Sequence, residues 1–149
     1  VIFVLLKSMR HFRIIFTACS FLIIQGLITP SCQTQRGEII PYVKVDEYFL
    51  IYSDLADLGV LETKFVKGGF SGLVIYRESD FVFHAYDRTC TLWPQHTAAV
   101  LADTLALKCP DCGTIYVPSL GASPISGPST YPLIEYHAVV QGDVLHVFN

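Results

Sequence analysis

Three cysteines in the C-terminal part of the chain have the types and spacing most directly suited to chemistry. Cys109 and Cys112 enclose two residues, and Gly113 follows them. This spacing lets both thiolates point at one metal centre, and the glycine lets the backbone turn sharply around it. A redox disulfide is the other reading of a Cys-x-x-Cys pair, but a thioredoxin-like site needs a βαβ setting that this sequence does not predict. As half of a metal site, the pair needs further ligands.

Cys90 and His96 are the candidates for those further ligands. Cys90 supplies a third thiolate, and His96 follows it on the same predicted loop. A set of three cysteines and one histidine is a recognised ligand set for structural zinc. The alternative for His96 is a solvated loop histidine, and we expect Trp93 to shield this corner of the domain. The remaining histidines of this part of the chain are predicted to be ordinary strand residues: His84, His137 and His146.

The elements that must position these residues are predicted to be β-strands. Short alternating segments separated by Gly, Pro and Asp turns indicate an all-β fold, a small sandwich or barrel of antiparallel sheets. The predicted strands are Pro41–Val45, Phe70–Tyr76, Phe81–Tyr86, Leu105–Lys108, Thr114–Val117, Ile134–Val140 and Val144–Phe148. Only Thr97–Thr104 has a helical pattern, and Ser119–Pro132 is predicted to be a long loop. Cys90 therefore follows a strand, and the Cys-x-x-Cys pair lies between two strands.

Two short segments around the cysteines resemble the paired motifs of the Rieske iron–sulfur family, Cys-x-His and Cys-x-x-His-Gly. They are Cys90-Thr91-Leu92 and Cys109-Pro110-Asp111-Cys112-Gly113. Tyr116, Gly121 and the proline-bearing segment Ser126-Gly127-Pro128 match further features of that family. The hairpin that leads to Cys90 is similar to that of exported Rieske-like lipoproteins of Gram-negative bacteria. The resemblance covers about Ile39 to Asn149 and implies a Rieske-like fold.

The resemblance implies a ligand set of three thiolates for a [2Fe–2S] cluster: Cys90, Cys109 and Cys112. A Rieske cluster uses two cysteines and two histidines. Here Leu92 replaces the first histidine and cannot ligate, whereas Cys112 replaces the second and can. The implied function is electron transfer with a redox partner of the cell envelope, and the added thiolate lowers the reduction potential. We also expect the cysteines to meet at one tip, covered by the Gly127-Pro128 loop, with Leu92 turned away or forming an apolar lid.

A degenerate Rieske-like fold without the cluster is the alternative. The three cysteines, with or without His96, would then hold a structural zinc ion, or two of them would pair as a disulfide. The domain would serve as a non-redox interaction module. Since the sequence has no nucleophile elbow and no phosphate-binding loop, we expect a binding or electron-transfer protein rather than an enzyme.

Charge is distributed unevenly along the chain. The chain has ten Lys and Arg residues against thirteen Asp and Glu, yet Lys7, Arg10 and Arg13 fall within the first 31 residues, where no acidic residue occurs. The remainder is therefore acidic, and it carries no basic stripe. Nucleic-acid binding requires clustered positive charge, so we exclude it as a function.

The N-terminus has the order of a secretory signal. A basic region precedes the apolar run from Ile14 to Ile28, and Ser31-Cys32 follows. This order predicts a lipoprotein-type signal peptide over residues 1–31, a lipidated Cys32, a tether over residues 32–38 and a β domain over residues 39–149. The domain would then reside in the cell envelope, bound to the membrane through its N-terminal lipid. A permanent N-terminal anchor and an ordinary signal peptide with a chance cysteine are the alternatives.

Overall fold

Strands and turns make up the described part of the chain, which comprises residues 40–92, 99–103 and 105–149 of a computed structural model. The predicted signal peptide and tether, together with Trp93 and His96, lie outside these residues. The described residues contain a 3-10 turn, Pro118–Leu120, and no α-helix. The described residues therefore contain no helix that is long and apolar enough to span a membrane. The predicted all-β fold is confirmed.

The strands are short and are joined by turns. Their bounds are β1 Asp46–Leu50, β2 Thr63–Val66, β3 Leu73–Arg77, β4 Phe83–Asp87, β5 Leu101–Asp103, β6 Ala106–Lys108, β7 Ile115–Val117, β8 Ser123–Ser126, β9 Glu135–Gln141 and β10 Val144–Phe148. They form a six-stranded sheet in the order β1-β10-β9-β4-β3-β2 and a four-stranded sheet in the order β5-β6-β7-β8. Neighbouring strands within both sheets are antiparallel. This arrangement agrees with the predicted sandwich or barrel of antiparallel sheets.

The β3–β4 hairpin separates two apolar cores. Successive side chains of a strand point to opposite faces, so β3 sends Leu73 and Ile75 into one core and Val74 and Tyr76 into the other. The first core also contains Val45, Leu55, Phe83, Ala85, Leu145 and Val147. The second also contains Tyr86, Val100, Leu107, Tyr116 and Leu133, together with Cys90 and Cys109. The cysteines are therefore part of a packed core.

Several short strands differ from their predicted positions. The first strand begins at Asp46 rather than at residue 41, and Thr63–Val66 was not predicted as a strand. The predicted long loop contains Ser123–Ser126 as a strand, and Leu101–Asp103 is a strand instead of part of a helix. Each of these four strands lies at the edge of its sheet. Edge strands have one neighbour and carry polar or exposed residues, so pairing rather than local hydrophobic pattern determines them.

The turn between β3 and β4 extends further than predicted. Glu78 and Ser79 each donate a backbone hydrogen bond to the carbonyl of Val82. Phe81 lies in this turn with 77% of its surface exposed. Phe81 therefore belongs to the turn, and the strand predicted over Phe81–Tyr86 begins at Phe83.

His84 of β4 lies between two carboxylates. Its Nε2 is 2.8 Å from Glu78 Oε2, and its Nδ1 is 2.9 Å from Glu135 Oε1. The rings of Tyr76 and Tyr86 lie beside it. Partial burial lowers the pKa of His84, but the hydrogen bonds and charges of the two glutamates outweigh this effect and raise it above its ordinary value. The protonated ring thus joins β4, β9 and the β3–β4 turn.

Replacing His84 by glutamine should destabilise the protein more at pH 6 than at pH 9. A raised pKa in the folded state adds stability that is fully present below the unfolded value of about 6.5 and is lost as the pH rises through the folded pKa. Because His84 and its two glutamates are partly exposed, we expect the two losses of stability to differ by less than about 1 kcal/mol. Urea unfolding at both pH values measures the free energy of unfolding. His137→Gln is the control, since the described residues give it no ion pair. An equal loss for His84→Gln at both pH values would contradict the assignment.

Candidate metal centre

Three thiols from two loops meet at one end of the second core. Cys90 follows β4, and Cys109 and Cys112 lie in the loop between β6 and β7. Their three Sγ atoms all lie within 4.8 Å of one another, and Cys90 Sγ is 3.5 Å from Cys112 Sγ. The predicted convergence of the three cysteines is therefore confirmed. Cys90 and Cys109 are fully buried, whereas Cys112 is partly exposed.

The β6–β7 loop is closed by its own backbone. The amide of Cys109 donates to the carbonyl of Thr114 over 2.9 Å, and the amide of Gly113 donates to the carbonyl of Cys109 over 3.0 Å. Gly113 has a φ of 73°, the left-handed conformation that glycine adopts without steric cost. These bonds fold the Cys109–Cys112 segment into the sharp turn expected at Gly113, which we call the knuckle, and bring both its sulfurs close to Cys90.

Polar groups of neighbouring residues surround the sulfurs of Cys90 and Cys112. The backbone amide of Leu92 lowers the pKa of Cys90, and the backbone amide of Thr114 lowers the pKa of Cys112. In addition, the Tyr116 hydroxyl lies 3.4 Å from Cys90 Sγ, and Thr114 Oγ1 lies 3.2 Å from Cys112 Sγ. Such donors stabilise negative charge on sulfur and orient the thiolates toward a metal.

The thiols differ in their readiness to ionise. Burial raises the pKa of Cys90 to about 12, although Tyr116 and the Leu92 amide act in the opposite direction. Burial also acts to raise the pKa of Cys112, but hydrogen bonds from Thr114 reverse the effect and hold it below the ordinary value. In the metal-free protein Cys112 thus ionises more readily than Cys90, and a metal ion must displace the proton of Cys90 when it binds.

A chain of hydroxyl groups continues inward from Cys90. Thr91 Oγ1 lies 3.2 Å from the Tyr116 hydroxyl and 2.8 Å from Ser129 Oγ, and it donates to the carbonyl of Tyr131 over 2.7 Å. This chain fastens the Cys90 loop to the segment that follows β8. The buried hydroxyls thereby satisfy one another's hydrogen-bonding capacity, which buried polar groups require.

The segment after β8 packs against the knuckle at Gly127. A Cβ atom at this glycine would lie 2.5 Å from Thr114 Cα, and the Ser129 amide donates to Thr114 Oγ1 over 3.2 Å. The loop therefore contacts the β6–β7 loop at Thr114, while Gly127 and Pro128 are exposed and Cys112 is partly exposed. The expected cover over the three sulfurs stays a prediction. Leu92 is half-buried and packs against the second core, and its expected position relative to the sulfurs stays a prediction.

The described residues do not include a fourth ligand for this centre. Among the described residues, His, Cys, Asp and Glu side chains come close enough together to hold a metal ion in one group of three or more. That group is Cys90, Cys109 and Cys112. His96 lies outside the described residues, so its predicted ligation stays a prediction. His84, His137 and His146 lie on strands β4, β9 and β10, as predicted. Three thiolates form a soft ligand set that suits zinc, copper(I) and iron–sulfur centres.

A buried carboxylate that the sequence analysis missed positions the Cys90 loop. Asp87 is fully buried and accepts hydrogen bonds from the amides of Phe70, at 2.6 Å, and Thr89, at 2.9 Å. It also accepts from the hydroxyls of Thr89, at 2.5 Å, and Tyr136, at 2.9 Å. Gly69 packs so closely that a Cβ atom there would lie 2.5 Å from Asp87 Oδ2. The sequence signal that could have indicated this role is the position of Asp87, an acidic residue at the end of an apolar strand just before the Cys90 motif.

Comparison with known proteins adds no assignment to this geometry. No protein-family model matches the sequence, and a search of curated proteins gave no match. The resemblance to the Rieske family therefore stays a prediction from the sequence motifs.

Asp87→Asn should destabilise the protein by about 2–4 kcal/mol, because the new amide group offers a donor to a site that contains only donors. Asp80→Asn is the control. Asp80 makes an exposed ion pair with Arg77, and its loss should cost less than about 1 kcal/mol. Chemical denaturation measures both free energies of unfolding. Equal small losses for the two variants would show that the Asp87 network does not stabilise the fold.

Proposed function

We propose that the domain binds one metal ion through Cys90, Cys109 and Cys112. The observation that carries this proposal is the mutual approach of the three sulfurs to within 4.8 Å. In a tetrahedral site with metal–sulfur bonds of about 2.3 Å, neighbouring sulfurs lie about 3.8 Å apart. The 3.5 Å between Cys90 and Cys112 differs from that separation by only a few tenths of an ångström. A bound ion therefore needs only a small adjustment of the loops.

Zinc is the ion that this arrangement favours. Structural zinc sites are tetrahedral and take four protein ligands from cysteine and histidine, whereas a site with three protein ligands keeps its fourth position open for water. Here the ion would join the β4–β5 connection to the β6–β7 loop, with His96 or a water molecule as the fourth ligand. A zinc ion in this position would act as a structural cross-link in a domain whose partner is another envelope protein.

A [2Fe–2S] cluster used in electron transfer is the second candidate. The spacing of the two cysteine motifs and the amide donors to Cys90 and Cys112 favour it. In such a cluster the terminal ligands divide between two irons, and ligands on different irons lie farther apart than those on one. By the Rieske resemblance, Cys112 would serve the second iron, yet it lies 3.5 Å from Cys90. This short distance supports one ion over a cluster.

Either metal form agrees with a place in the cell envelope. This part of the proposal rests on the N-terminal pattern, in which a basic segment and an apolar run precede Cys32. A lipid on Cys32 would hold the domain at the membrane surface, where it would meet its redox or structural partner.

Metal analysis of the purified chain should find about one zinc ion per molecule. Replacing any of the three cysteines by serine should weaken zinc binding at least tenfold, because each change removes a ligand. Ser119→Ala, which changes an exposed side chain of the same domain that is not a candidate ligand, is the control. A similar loss in His96→Ala would identify the fourth ligand, and an unchanged affinity would assign that position to water. Two irons with acid-labile sulfide and visible colour would support the cluster instead. Absence of zinc, iron and sulfide would contradict both candidates.

A further inference from the structure

We propose that the centre is also a site of reversible oxidation, at which peroxide joins Cys90 to Cys112 as a disulfide and leaves Cys109 as a single thiol. The release of metal that follows rests on the proposed function above. The disulfide itself does not, because it requires only the geometry of the thiols.

The distance between the two sulfurs favours this pair. Cys90 Sγ and Cys112 Sγ lie 3.5 Å apart, and a disulfide bond is about 2.05 Å long. An approach of about 1.5 Å therefore suffices to form the bond. The two residues lie on different loops, so a small displacement of one loop toward the other provides this approach.

Differences in burial determine which thiol an oxidant meets first. Cys112 is partly exposed, whereas Cys90 and Cys109 have no exposed surface. A small peroxide from solvent therefore reaches Cys112 before the others. Cys90 Sγ contacts Cys112 Sγ across the loops at 3.5 Å. Cys109 is also a neighbour of Cys112, with its Sγ within 4.8 Å. We assign Cys90 as the resolving thiol because it approaches from the other loop, whereas the backbone of Cys109 is held by hydrogen bonds.

Cys109 is held in place by its backbone. Its amide and its carbonyl both take part in the hydrogen bonds that close the β6–β7 loop, and its side chain packs in the second core. Cys112 lies farther along that loop, beyond the end of β6. Oxidation thus uses Cys112, which lies farther than Cys109 from the end of β6, and Cys109 keeps its place in the core.

The reaction proceeds in two balanced steps. The Cys112 thiolate attacks one oxygen of hydrogen peroxide and the O–O bond breaks. Hydroxide departs, and Cys112 becomes a sulfenic acid. The Cys90 sulfur then attacks the Cys112 sulfur and the S–O bond breaks. In the metal-free chain the departing oxygen leaves as water with the proton of Cys90, and in the zinc-loaded chain it leaves as hydroxide and takes a proton from solvent. Two thiols and one peroxide give one disulfide and two waters. A bound ion would then retain a single thiolate and dissociate.

Peptide mapping of the full chain tests the pairing. The zinc-loaded and metal-free chains are treated with one equivalent of hydrogen peroxide, alkylated, and digested with trypsin and an endoproteinase that cleaves before aspartate. Cleavage before Asp111 separates Cys109 from Cys112, so each possible disulfide joins a different pair of peptides. We expect the Cys90–Cys112 product to exceed the Cys109–Cys112 product at least tenfold, with one zinc released per disulfide.

Matched variants separate this inference from the metal proposal. Cys109→Ser should retain the disulfide, whereas Cys90→Ser should leave Cys112 as a sulfenic or sulfinic acid. A dominant Cys109–Cys112 product, or over-oxidation of Cys112 in the unsubstituted chain, would overturn the inference. If the disulfide forms in a chain that binds no metal, the inference stands and the metal proposal fails. If zinc binds and no disulfide forms, the metal proposal stands and the inference fails.

Discussion

The buried carboxylate of Asp87 is the constraint on which the arrangement of the centre depends. It joins the glycine turn before β3, the Tyr136 side chain of β9 and the backbone of Thr89. A buried charge is tolerated only when hydrogen bonds replace the water it has lost. Because Thr89 directly precedes Cys90, this requirement also fixes where the first thiol leaves the sheet.

The β3–β4 hairpin explains why Cys90 and Cys109 lie in a core, with Cys112 partly exposed beside them. Its two faces serve two cores, and the second core is closed by the small four-stranded sheet. That sheet has strands of three or four residues, which supply little apolar surface. A metal ion that joins the Cys90 loop to the β6–β7 loop would add the stability that such a small core lacks.

The sequence predicted the parts of the molecule that depend on local signals. The alternating apolar residues of β4, β9 and β10 predicted strands there, and the Cys-x-x-Cys-Gly segment predicted the knuckle because its turn chemistry is local. The edge strands β1, β2, β5 and β8 were missed or misplaced, since their existence depends on pairing with neighbours that are distant along the chain. Asp87 was missed for the same reason: its donors at Phe70 and Tyr136 come from other elements.

X-ray absorption at the edge of the bound metal tests the central claim most directly, because it counts the sulfur neighbours and detects a second metal ion. The account predicts a zinc edge with three sulfur atoms at about 2.3 Å, one lighter neighbour and no metal–metal scattering. An iron edge with a second iron at short distance, or a zinc ion surrounded only by oxygen and nitrogen, would contradict it.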